Sequence, residues 1–94
     1  MNIRKLALDV DKARERPDLI TLAAAIEGVK GVEGVNITVT GIDLETVGTD
    51  VTVEGENIDF NGLKKAIEAT GAVVNSIDQI VSGNRMVERE KRAR

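Results

Sequence analysis

A two-layer α+β fold, with two helices on one face of a four-stranded antiparallel sheet, is what this 94-residue sequence predicts. Three observations predict it. Stretches of two-residue apolar alternation, rich in Val, Ile and Thr, occur near the start, the middle and the end of the chain. Two stretches with apolar residues at three- and four-residue spacing separate them, each with an acid near its start and a glycine just past its end. Their order is strand, helix, strand, strand, helix, strand, the split βαβ pattern of a ferredoxin-like βαββαβ sandwich.

The first strand is read in "IRKLALDV", where Leu6, Leu8 and Val10 share one face and Lys5, Ala7 and Asp9 the other. The first helix is expected from about Pro17 to Glu27. Leu19, Leu22, Ala23 and Ile26 fall at helical spacing, Pro17 suits the first turn, Asp18 the amino end and Gly28 the carboxyl end. "GVEGVNITVT" supplies a turn and the second strand, with Val35, Ile37 and Val39 facing a core. "GIDLETVGTD" reads as a long hairpin loop leading into "VTVEGEN", the third strand. In "IDFNGLKKAIEATG", Asp59 is the expected N-cap, Ile58 and Leu63 sit where a hydrophobic staple places them, and Gly71 ends the second helix. Gly62 is expected to weaken that helix by about 1 kcal/mol relative to Ala. The last strand, "AVVNSIDQIVSG", loses its alternation between Asn75 and Asp78, which predicts a bulge. The glycines at 28, 31, 34, 41, 55 and 71 read as helix ends and turns, and none forms a phosphate-binding loop.

Residues 1–83 are read as one domain and residues 84–94, "NRMVEREKRAR", as a charged tail with five basic and two acidic side chains, expected to fray or to be used by a partner subunit. The sheet face not covered by helices is expected to carry Lys5, Ala7, Asp9, Asn36, Thr38, Thr40, Thr52 and Glu54.

Composition narrows function by exclusion. With no cysteine and no histidine, disulfides, thiolate nucleophiles, zinc-thiolate sites and the usual neutral-pH base are unavailable. The net charge of −3 argues against bulk electrostatic binding of nucleic acid, and a sheet face without aromatic residues argues against base stacking. No apolar run reaches the roughly 20 residues of a membrane span, so a soluble cytoplasmic protein is expected.

"GVEGVNITVTGIDLET", "VTVEGENIDFNGLKKAIEATG" and "VNSIDQIVSGNRMVE" together resemble the archaeal domain of unknown function 211 family, from about Arg4 to Glu88. The resemblance implies a ferredoxin-like fold, self-association into rings, divalent-cation binding and no established activity. A proline- and histidine-containing segment common in that family after the first strand is replaced here by "DKARERP", so a role assigned to that histidine does not apply.

The residues themselves offer acids as the candidate site. Asp9 and Asp11 are two apart, so in strand geometry their carboxylates point the same way, about 7 Å apart. Asp43 and Glu45 repeat the spacing, and Asp78 lies at the break in the last strand beside Asn75 and Ser76. Calcium and magnesium take clustered oxygen ligands. Asp9, Asp11, Asp43, Glu45 and Asp78 are therefore the candidate metal ligands, weighed against a role as solvated or turn-forming acids.

Three functions compete on this basis. The leading one is a non-catalytic, self-assembling domain, a homo-oligomer that binds a divalent cation or small ligand at subunit contacts. Rows of Thr and Val at sheet edges and a small core both favour assembly. The alternatives are a carboxylate- and metal-dependent enzyme, with Asp9, Asp43 or Asp78 converging, and a weak nucleic-acid binder acting through the basic tail.

Overall fold

The structure, a computed structural model, describes residues 1–92. Six elements follow in the expected order: β1 (Ile3–Ala13), α1 (Leu19–Glu27), β2 (Val32–Ile42), β3 (Thr46–Gly55), α2 (Phe60–Ala69) and β4 (Val73–Ser82). The strands form one antiparallel sheet in the order β2-β3-β1-β4, so β2 and β4 are its two edges. Both helices pack on one face, giving a ferredoxin-like α+β slab of 39 × 37 × 17 Å.

Alternation in β1 places Leu6, Leu8 and Val10 under the helices, opposite Val53, Val51 and Thr49 of β3. Leu22 and Ile26 of α1 and Leu63 and Ile67 of α2 close over them. All are fully or almost fully buried, and the buried core is wholly aliphatic because Phe60 packs only at its margin. Thr49 is the polar exception. Its hydroxyl donates to the Val10 carbonyl at 2.7 Å, so the buried group is satisfied.

Capping residues set where the helices begin. Asp18, not Pro17, starts α1: its carboxylate accepts from the Thr21 amide at 2.7 Å, and Pro17 lies just outside the helix. That amide holds the Asp18 carboxyl below the usual carboxylate range. Asp59 caps α2 by accepting from the Gly62 amide at 3.0 Å, with Ile58 and Leu63 both buried as the staple requires. Gly62 has a positive reason to be there. A Cβ on it would lie 2.5 Å from the capping Asp59 carboxylate, so the residue that weakens the helix intrinsically also leaves room for its cap.

Three expectations change. The β2–β3 connection is a turn of residues 43–45, not a long loop, because Val47 and Thr49 continue the inward alternation and extend β3 back to Thr46. The Asp43 amide closes this turn by donating to the Thr46 carbonyl at 2.8 Å. Gly34 and Gly41 are not turn residues but lie inside β2, where a Cβ would meet nothing within 4 Å. The first strand also runs three residues beyond Val10, to Ala13. The bulge expected near residues 75–78 is present as register shifts on either side of Asp9, which leave Asn75 and Asp78 unpaired with β1.

Candidate functional site

Strand register arranges the uncovered face in rows running from β2 to β4. Gly34, Glu54, Lys5 and Val81 form one, and Asn36, Thr52, Ala7 and Gln79 the next. A third row contains Thr38, Asp50, Asp9 and Ser76. Beyond it Asp11 lies opposite Gly48, and the Asp11 carboxylate and the Thr40 hydroxyl both come close to the space a Gly48 side chain would take. The expected open-face residues are therefore on that face, and the row centre is a pair of acids, Asp9 and Asp50, from strands far apart in sequence. Directly opposed residues of an antiparallel pair have Cβ atoms about 5 Å apart.

The candidate acids separate into groups. Asp9 pairs with Asp50, which sequence reasoning missed, and Asp11 continues their strip. Asp11 and Glu45 also line one shallow cleft of about 360 Å³ at the end of the sheet, together with Lys12, Gly71, Val73 and Asn75. Asp43 is not in that cleft; its carboxylate accepts from the Leu44 amide at 2.8 Å and serves its own turn. Asp78 accepts from the Ser76 hydroxyl at 2.7 Å within β4. Among the described residues, no group of three or more acidic side chains is arranged to hold a metal ion.

Among the described residues, no ion pair neutralises these acids. The ion pair seen among the described residues, Arg4 with Glu56 at 3.2 Å, lies at the other end of the sheet. Lys12, only 7% exposed, extends under the sheet end, and its ammonium donates to the Ala13 and Arg14 carbonyls at 3.0 and 3.2 Å. Its alternation with Val10 was the available signal for this burial, since it places Lys12 on the core face and its aliphatic stem can pack there. Like charges placed directly opposite one another destabilise a sheet. Asp50→Asn is accordingly expected to raise stability by about 0.5 kcal/mol at low ionic strength, with the gain shrinking as salt screens the pair. Urea unfolding at two salt concentrations checks it; a loss of stability would show that Asp50 is held by a partner.

A model of the family described as "Uncharacterized ArCR", the domain of unknown function 211, matches residues 4–94. The chain belongs to the domain of unknown function 211 family. An uncharacterized protein of Methanocaldococcus jannaschii is 40% identical over 86 residues, which cover 92% of this chain and 88% of that protein. The domain of unknown function 211 family thus includes an archaeal relative matched over nearly its whole length. Among the described residues no helix is long and apolar enough to cross a membrane.

Proposed function

We propose that this chain is a non-catalytic, self-assembling domain whose copies join through the two free edges of the sheet. The observation that carries the reading is a match between those edges. On the helix side, β4 exposes Ile77 and Ile80, and β2 exposes Val39 and Ile42. Apolar side chains at both ends of one sheet face become a continuous core strip when the β4 edge of one copy meets the β2 edge of the next. Neither edge strand contains the Lys or Pro that commonly blocks strand addition, although both are bulged. Because the two edges differ, the contact is head-to-tail, and repetition of it closes a ring when the rotation allows.

Divalent-cation binding belongs to this reading as a function of the assembly. Calcium needs six to eight oxygens, and the Asp9–Asp50 pair with Thr38 and Ser76 offers a partial set to which a neighbouring subunit would add. The cleft holding Asp11 and Glu45 is a second such place.

Sedimentation velocity with and without EDTA tests both parts. The expected result is an assembled species that Ile80→Lys dissociates, and that EDTA loosens if a cation bridges copies. A wild-type chain that sediments as a monomer at all concentrations in both conditions would overturn the reading.

A further inference from the structure

Past β4, residues 83–89 stay beside the sheet. The Gly83 amide donates to the Asn2 carbonyl at 2.8 Å and Arg4 donates to the Asn84 carbonyl at 3.4 Å, which fixes the root of the arm 84–92. Residues 86–89 then lie alongside β4, at its free edge and over the adjoining part of the face without helices. A groove of about 640 Å³ separates Asp78–Ser82 from Val87, Glu88 and Arg89. A second cavity of about 310 Å³ lies among Lys5, Gln79, Val81, Met86 and Val87. Val81 shows the effect of this placement: its register puts it beside Lys5 on the face without helices, yet it is only 7% exposed.

Among the described residues no backbone hydrogen bond joins the arm beyond Gly83 to β4. The arm therefore screens the edge without completing the sheet. Its hold is apolar and modest, since Met86 remains about half exposed and Val87 largely exposed. A bare strand edge is a template for another chain, and covering it with a loop is one of the ways folded proteins manage that hazard.

We propose that the arm 84–92 is a displaceable guard of the β4 edge, which a second copy of this chain must move aside before its own edge strand can add to β4. The proposal rests on the self-assembly reading above and names what regulates that contact. Displacement is feasible because no ladder of hydrogen bonds has to break, only the seat of Met86 and Val87 near Val81. Charge works in the opposite direction. The segment 84–94 carries five basic and two acidic residues on a chain of net charge −3, so removing it makes copies more negative and more repulsive. Tighter association on removal therefore cannot come from electrostatics.

The test compares wild type with a chain ended after Gly83 and with the full-length double variant Met86→Ser, Val87→Ser, which keeps every charge. Sedimentation equilibrium over a wide concentration range at moderate salt reads the association constant. Both variants are expected to associate about tenfold more tightly than wild type. Unchanged or weaker association in either variant overturns the guard; in particular, a wild type that assembles beside a truncated chain that does not makes the arm a clamp, and leaves self-assembly standing. If all three are monomeric at every concentration, the guard and the self-assembly reading fall together. Should the truncated chain fail to fold, the double variant decides alone.

Discussion

Gly55→Ala is expected to leave a chain that is largely unfolded at room temperature, whereas Gly34→Ala, on the neighbouring strand, is expected to change stability by less than about 0.5 kcal/mol. Gly55 ends β3 opposite Val32, and a Cβ there would overlap the Gly31 carbonyl oxygen and sit 3.0 Å from the Glu33 amide nitrogen. None of these atoms is free to retreat. The Gly31 carbonyl accepts from the Glu56 amide at 2.9 Å, and the adjoining Lys30 carbonyl accepts from the Asp59 amide at 3.0 Å, so the crossing ties the start of β2 to the segment leading into α2. Gly31 itself has φ +92°, and a Cβ on it would lie 2.5 to 2.7 Å from three backbone atoms of residues 56–58. Overpacking costs about 1–3 kcal/mol where side chains can adjust and more where only backbone is available. Losing hydrogen bonds at the crossing adds to it, against a total of about 5–15 kcal/mol for a domain. Urea titration followed by far-ultraviolet circular dichroism separates the two substitutions. A cooperative Gly55→Ala transition near the wild-type midpoint would show that the crossing yields.

Leu8→Ala is expected to destabilise the domain by about 3 kcal/mol, in the upper range for a buried leucine. Leu8 is 1% exposed, lies between Val51 and Ile77 in the central part of the sheet, and faces both helices. No aromatic ring sits in the core to swing into the space, and the surrounding Val and Ile side chains are stiff at χ1. The cavity would therefore persist. Leu44→Ala in the β2–β3 turn removes the same atoms from a side chain 85% exposed, and is expected to change stability by less than about 0.5 kcal/mol. The difference between the two urea midpoints measures burial directly; near-equal losses would mean that the core relaxes around the missing side chain.

Much of this architecture is written in local periodicity. Leu6, Leu8 and Val10 announce a half-buried strand by alternation alone, and Asp59 with Ile58 and Leu63 announces the start of a helix, because those signals depend on neighbours within one turn or one pleat. What local pattern does not encode is register between distant segments. The Asp9–Asp50 pairing is invisible for that reason, while Asp9 and Asp11, two residues apart on one strand, are conspicuous. The same limit separates Gly31 from Gly34. Both belong to "GVEGV" and both look like turn glycines, but only Gly31 meets the chain of residues 56–58, and that crossing is a fact of tertiary structure. Asp43 and Asp78 were legible as acids in suggestive places. Their hydrogen bonds to Leu44 and Ser76 show local polar bookkeeping of the sort that turns and bulges generate.

The bond between Gly83 and Asn2 brings the two ends of the folded domain to one corner, with β1 and β4 running antiparallel away from it. Tension applied to those ends, by a tether, a neighbouring domain or a protease threading one terminus, meets the β1–β4 ladder end-on. Its hydrogen bonds would open in succession, as in a zipper, where a sheet loaded along its strands would resist with all of them together. The molecule is built to be mechanically soft along the one line on which its own chain can pull.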